Sequence, residues 1–382
     1  MKPLVRNLCL LSCISSSAFA APFLAIGDNA ELFATGVASI TYNDNILLSP
    51  DGAELEDTIF TFVPGFDLQF GKDSLLKGNV IGTATLTSYA DNNRLNNQLL
   101  GIGSDVTYDN GNLKLGGNLS FNELDQPTVD VIPGGQLVER HVTAVGLNGE
   151  LSFSEKISVG SGASFVKTDY KQAGFTDQEE YSVPVNVYYE LTPKVDVSTG
   201  IRYTNTKLDI PAPAANKYEA YYYNVGARGS FTPKLSGAFS VGYNVRSANA
   251  GPDDDGSIGA NGSLGYAYTD KTNFTFAFSR NFSNATAGGA SYENTQFTLG
   301  ATSAITVDWS LNASLTYRML DYQNAIPSRE DDYIEASLGA SYVINSHLST
   351  SLAYIHRTQS SDLGAGNEFS NNLVTLSISA RY

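Results

Sequence analysis

Apolar side chains recur at every second position through most of this chain. Tyr181, Val183, Val185, Val187, Tyr189 and Leu191 form one such run. Leu235, Gly237, Phe239, Val241, Tyr243 and Val245 form another, and Ile334, Ala336, Leu338, Ala340 and Tyr342 a third. The chain ends on a fourth, in which Val374, Leu376, Ile378, Ala380 and Tyr382 alternate with Thr375, Ser377, Ser379 and Arg381. Successive side chains of a strand point to opposite faces, so this period of two describes strands with one apolar and one polar face. Helical spacing is scarce. No apolar run after the first residues approaches the ~20 that a membrane helix needs.

The breaks between strands come in two kinds. One kind is very short: Gly71–Ser74, Asp109–Asn112, Ser154–Lys156, Thr192–Lys194, Thr232–Lys234, Thr269–Lys271, Thr306–Asp308 and Asn345–His347. Three of these read Thr-Pro-Lys or Thr-Asp-Lys, residues that suit tight turns. The other kind is longer and more polar, at 43–57, 91–97, 127–139, 171–180, 209–217, 248–256, 284–290, 323–332 and 359–369. The two kinds alternate without exception, which is a hairpin repeat. It gives about 18 strands, an even number that puts both ends of the sheet on the short-turn side. Short turns on one rim and long loops on the other are the pattern of an outer-membrane barrel.

Aromatic residues mark the short-turn rim. Phe70, Tyr108, Phe153, Tyr189, Phe231, Tyr268 and Tyr342 stand just before the turns, each on the apolar parity of its strand. Ile305 is the exception, and Trp309 lies across its turn. Rings at that height suit the interfacial zone. Tyr382 holds the same place on the last strand, which is expected to pair with the first, near Leu32–Tyr42, and close the sheet. Closure satisfies backbone groups that hydrocarbon cannot. The expected fold is therefore all-β, a closed antiparallel up-and-down transmembrane β-barrel. A soluble sandwich or solenoid explains the alternation but not the two loop classes or the rings on one rim. Pro64 and Pro184 fall inside strands of a sheet with no free edge, so both are expected at bulges.

Lys2 and Arg6, the apolar stretch Leu8–Ile14 and the small-residue site Ala18-Phe19-Ala20 read as a secretory signal over 1–20, cut after Ala20. A rival lipoprotein reading of Leu10-Leu11-Ser12-Cys13 suffers from a short apolar run broken by Arg6 and Asn7. Residues 21–30 would then be a short, free periplasmic segment and 31–382 the barrel. Cys9 and Cys13 both lie in the signal, so the mature chain has no thiol for disulfides, metal sites or catalysis. A formal charge of −16 makes nucleic acid a poor partner.

The inward parity is rich in Ser, Thr, Gly and Asn. Its charges are Lys77, Asp105, Glu150, Asp196, Arg202, Arg228, Arg318, Glu335, Arg357 and Arg381. Small polar side chains suit a wet interior, and 16–18 strands leave an aqueous channel unless something plugs it. A plug would be a folded-in loop, 43–57 or 127–139. Mixed charge implies weak ion selectivity. Arg202, Arg228, Arg318 and Arg381, with Glu335, are the channel-lining candidates; the arginines would either form a ladder for an anionic solute or pair with lumen acids and hold register.

The loops are acidic at Glu54, Glu56 and Asp57, at Asp177, Glu179 and Glu180, at Asp253–Asp255 and at Glu330–Asp332. Such clusters could bridge through divalent cations to lipopolysaccharide, but none has an EF-hand spacing, and solvated loop charge is the plainer reading. His141, His347 and His356 are the only histidines, and no serine motif marks a nucleophile beside them. No cofactor and no catalysis are expected.

Tyr42-Asn43-Asp44-Asn45-Ile46 follows the alternating first strand, and the second strand carries TFVPGFDLQFG with Val63-Pro64. This resembles the start of the putative β-barrel porin 2 family, whose members open on a Tyr-Asp-Asp-Asn-like motif; Asn43 takes the place of the first Asp. The resemblance implies a Gram-negative outer-membrane protein, and polysaccharide export as one possible role, since members often accompany exopolysaccharide systems. The closing segment resembles the signal read by barrel-assembly machinery, with Tyr382 in place of Phe and Ser377 where Gly is usual. Three functions remain open: a passive or weakly selective channel, an exit pore for an exopolysaccharide working with periplasmic export proteins, and a structural or adhesive barrel. Intact-mass analysis of the protein extracted from outer membranes is expected to give Ala21 as first residue; an acylated Cys13 would overturn the signal reading.

Overall fold

The computed structural model describes residues 22–127, 136–210, 216–250, 256–284, 291–323 and 328–382. A short strand, β1 (Leu24–Ile26), precedes eighteen long ones. These run β2 (Ala30–Asn43), β3 (Asp57–Phe70), β4 (Leu76–Tyr89), β5 (Asn97–Asp109), β6 (Leu113–Gln126) and β7 (Val138–Ser152). Then come β8 (Ile157–Tyr170), β9 (Gln178–Thr192), β10 (Val195–Leu208), β11 (Lys217–Ser230), β12 (Leu235–Ala248) and β13 (Ser257–Ala267). The last six are β14 (Thr272–Asn284), β15 (Ser291–Ala304), β16 (Trp309–Gln323), β17 (Arg329–Val343), β18 (Leu348–Ser361) and β19 (Phe369–Arg381). Each pairs antiparallel with the next, and β19 pairs with β2 from Leu373↔Asn43 to Arg381↔Thr35. The sheet is a closed 18-strand barrel.

The period of two decides which face each residue takes. On β9 the apolar parity is exposed on the outside, with Tyr181 at 48%, while Asn186 and Tyr188 between are buried on the inside. The outer face elsewhere is of the same kind: Ile40, Phe62, Leu100, Leu147, Val225, Leu299, Leu338 and Leu376 all stand exposed. Such a surface is stable only against lipid.

Most of the short turns share one device, Gly71–Ser74 being closed instead by the Gly71 carbonyl accepting from the Ser74 N–H. The Thr232 hydroxyl accepts from the N–H groups of Lys234 (3.3 Å) and Leu235 (2.9 Å). Thr269, Thr306 and Ser154 do the same for the N–H groups two and three positions on, and Asn345 does so through its amide oxygen. The hydroxyl or amide oxygen mimics a backbone carbonyl and closes the turn. The residue after it is free to vary, which is why Pro233, Asp270 and Val307 all occur there.

Two expectations are corrected. Neither proline sits at a bulge. Around Pro64 the β3–β4 ladder passes from Phe62↔Leu86 to Gly65↔Thr83 without a change of register, and around Pro184 the β8–β9 ladder passes from Ser161↔Val185 to Ser164↔Ser182. Rungs are skipped on the side where proline has no N–H, and the opposite side keeps Gly36↔Pro64 and Arg202↔Pro184. One missing donor per strand is absorbed locally. The register shift falls instead at Val195/Asp196.

Nor is segment 21–30 free. β2 begins five residues before Thr35, where its pairing with β19 ends, apart from a further pair of bonds between Ala34 and Tyr382. That would leave Ala30–Leu32 as an open edge at the height of the aromatic rim, since Ala30 lies opposite Phe70 on β3. β1 fills the notch through Leu24↔Leu32, Ala25↔Glu31 and Ile26↔Ala30. Gly27, in the left-handed region at φ 61°, turns the chain between them. Phe23 meets Tyr382 edge-on at 6.5 Å, so the start of the described chain abuts its end. Removing residues 22–26 exposes those backbone groups where water is scarce, and is expected to lower the heat-unfolding temperature measured on gels by several degrees; an unchanged temperature would show that the notch needs no filling.

Candidate functional site

The inward face is the one concave polar surface that the fold builds. All the channel-lining candidates lie on it, but not as a row of free charges. Arg228 donates from Nη1 and Nη2 to both oxygens of Glu150 (2.8 and 2.6 Å) and from Nε to Asp196 (2.9 Å). Its guanidinium lies 3.6 Å over the Tyr188 ring, and the Ser158 hydroxyl also donates to Glu150. Glu150 is on β7 and Arg228 on β11. Strands about 4.8 Å apart put some 19 Å of wall between them, more than a side chain can span. The wall must therefore curve sharply here, and Arg228 is a strut across the fold of the lumen near its short-turn end.

Arg381 pairs with Asp67 at 2.9 Å and lies over Phe33, tying β19 to β3 across β2. Glu335 accepts from Arg357 Nε (3.0 Å) and from the Tyr333 hydroxyl (2.7 Å). Arg202 and Arg318 differ. They sit at 5.5 and 5.9 Å from the Tyr222 and Tyr333 rings, and among the described residues no carboxylate comes within ion-pair distance of either. Lys77 and Asp105, on β4 and β5, stay exposed.

Loop 44–56 crosses the loop-side mouth. Ile46 packs with Tyr89 and Leu137, backed by Leu47, Leu55, Ile59 and Leu95. Two residues on, Leu48 packs with Tyr333 and Phe369 on β17 and β19. The loop thus bridges the β3–β7 wall to the β17–β19 wall with residues at most 4% exposed. Leu48 takes a left-handed φ of 53°, a strained setting for leucine that burial between two rings holds in place. This is one of the two loops expected as a plug; most of the other, 128–135, lies outside the described residues.

The Asn-Asp-Asn stretch after Tyr42 is what anchors that loop. Asn371 Nδ2, fully buried, donates to Asn43 Oδ1 (2.6 Å) and to the Asn45 carbonyl (3.2 Å). Asp44 accepts from the Asn372 N–H and side chain, both at 2.6 Å. Asn45 donates to the Ser49 and Ser370 carbonyls and accepts from the Ser49 N–H at 2.8 Å. Four asparagines and an aspartate therefore latch the end of the first long strand onto the start of the last. Sequence reading found the motif but not Asn371 and Asn372, because their partners are over 320 residues away.

The loop acids are more committed than solvated charge would be. Asp57 accepts from the N–H groups of Ala90 and Asn92, Glu56 from Tyr42, Asp177 from Tyr170, and Asp331 pairs with Arg329. Asp253–Asp255 lie outside the described residues. Among the described residues no group of three His, Cys, Asp or Glu gathers as a metal site. His141 lies beside Phe121 and Glu123, His347 against Tyr382, and His356 by Asn372. None of these contacts is a serine.

A model of the family described as putative beta-barrel porin 2 matches residues 82–382. Among solved structures, Pseudomonas aeruginosa OpdO is similar at a TM-score of 0.50 with 12% identity, covering 92% of this chain and 97% of that one. Pseudomonas aeruginosa OpdL matches at 0.49 with 14% identity over 94% and 99%, and Acinetobacter baumannii OccAB4 at 0.49 with 12% over 93% and 98%. At such identities the likeness concerns the fold. No curated protein matches the chain by sequence.

Replacing Asn371 by Ala takes one donor from the buried Asn43 oxygen, which keeps the Asn45 N–H, and one from the Asn45 carbonyl, which keeps the Leu48 N–H, at a cost of about 1 kcal/mol. Limited proteolysis of the barrel in detergent is expected to nick loop 44–56 in this variant and to spare the wild type; equal resistance would show that the latch does not hold the loop.

Proposed function

The chain belongs to the putative β-barrel porin 2 family, and on that premise we propose a passive, weakly selective outer-membrane channel for small polar solutes, narrowed at its loop-side mouth by loop 44–56. It is a porin-like outer-membrane barrel; what passes through it is the proposal. The observation that carries this reading is a polar inner face beneath a mouth that the latched loop 44–56 crosses.

Charge pairing sets the selectivity. Arg228 and Arg381 are engaged by three carboxylates, Glu150, Asp196 and Asp67, so they brace the wall and supply no net positive field to a passing ion. Arg202 and Arg318 supply the residual positive field, opposed by exposed Asp105. Opposing charges in a wide, wet lumen discriminate weakly. Delivery fits the same picture: cleavage after Ala20, recognition of the Tyr382 end by barrel-assembly machinery, and lodging among lipid and lipopolysaccharide. No feature of the lumen favours an exopolysaccharide exit over passage of small solutes.

In planar bilayers the purified protein is expected to conduct ions, with cation and anion permeabilities within about threefold of each other. Arg202→Gln with Arg318→Gln is expected to move the reversal potential toward cation preference. Absence of conductance would sink the channel and favour a structural barrel; strong anion preference would mean that the arginines act as a ladder.

A further inference from the structure

Above the apolar band the wall parts in two places. The β5–β6 ladder ends at Gly101↔Asn122, although both strands continue as Asn97–Leu100 and Glu123–Gln126. The β13–β14 ladder ends at Ala260↔Arg280, although β13 runs back to Ser257 and β14 on to Asn284. Continuing the register would set Gly259 opposite Asn281, Ile258 opposite Phe282 and Ser257 opposite Ser283, and none of these rungs forms. Both partings lie on the loop side, where water or headgroups can take the freed backbone groups.

The partings are finished differently. At β5–β6 carboxylates seal the gap: Glu123 accepts from the freed Leu100 N–H at 2.9 Å, and Asp125 accepts from Asn97 at 3.0 Å. At β13–β14 the lips are amides and hydroxyls. The Tyr222 hydroxyl donates to the freed Gly259 carbonyl at 3.3 Å, and Asn281 Nδ2 donates to Asn261 Oδ1 at 3.0 Å. Behind these lips buried polar atoms have no partner among the described residues. Asn244, 6% exposed, has a buried Nδ2 with no hydrogen-bond partner, and that nitrogen lies 2.4 Å from where a Cβ on Gly259 would stand. Asn294, which faces Asn281 across the β14–β15 ladder, has a buried Oδ1 equally without one. The charges nearby are already committed: Arg280 to Glu293 at 2.8 Å, and Arg246 against the Tyr218 and Phe282 rings. Directly below, on the lipid face, Phe276, Phe278 and Phe297 form an aromatic patch, with Phe278 lying over Gly262.

From this juxtaposition we infer that the β13–β14 parting is a lateral binding site for an amphiphile with an uncharged, hydroxyl-bearing head. The head enters between Gly259 and Asn281 and meets the Asn244 amide nitrogen beside Gly259. The apolar tail lies down the phenylalanine patch in the outer leaflet. A buried amide donor without a partner costs free energy that a hydroxyl group recovers. A charged head gains less there, because among the described residues the charges near the gap are already engaged. The site is separate from axial passage through the lumen.

The test uses 1-monooleoylglycerol, with oleate as the charged control, added to the full barrel in phosphatidylcholine nanodiscs and read by native mass spectrometry after release. The wild type is expected to retain one monooleoylglycerol and no oleate. Ser257→Cys with Ser283→Cys places a thiol on each lip; when oxidised it is expected to cut retention at least tenfold, and reduction to restore it. Asn244→Ala is expected to weaken retention with the lips free. Bilayer conductance, measured in parallel, reports that each variant is folded and stays unchanged, so loss of this site is distinguishable from loss of the channel. Equal retention with the lips locked, or equal retention of oleate, would overturn the inference.

Discussion

Hydrocarbon offers no partner to a backbone amide, and this constraint organises the whole molecule. It requires β19 to find β2, so that the sheet has no edge. It explains why β1 turns back to occupy the notch left where β19 runs out below Thr35. It also limits where the ladder is interrupted. The two partings lie toward the long loops, and the prolines within the wall remove rungs on one side only, leaving the other side and the register intact.

The lumen follows a different rule, since water is available there but shared with a crowded wall. Most arginines on the inner face are held in pairs or against rings. Arg228 binds two carboxylates from strands on either side of a sharp curve, and Arg381 reaches over a neighbour to Asp67. A pair of this kind, about a quarter exposed, contributes modestly to stability because solvent screens it. Its larger effect is geometric: it fixes the curvature of the wall.

Much of the architecture was legible in the chain. Strand number, face assignment and the two rims follow from period and loop class, and the turn threonines were visible as a recurring residue before their hydroxyls were seen to close each turn. What failed was anything that depends on partners far off in sequence. Bulges were expected at Pro64 and Pro184 because the rule for a closed sheet allows no edge; the sheet instead forgoes local rungs. Segment 21–30 carried too short a pattern to announce a strand. The Asn43-Asp44-Asn45 stretch resembles a family motif but lies outside the matched residues 82–382, and its use as a latch needs Asn371 and Asn372 beside it.

The sequence by itself determined a barrel: alternation dictates which side chains meet lipid and which meet water, because a strand has only two faces. Tertiary structure decided how that barrel is closed and narrowed. Whether Arg228 meets Glu150, whether Leu48 bridges to Tyr333 and Phe369, and where the wall parts all depend on curvature and stagger. Those are properties of eighteen strands closed together, and no single strand encodes them.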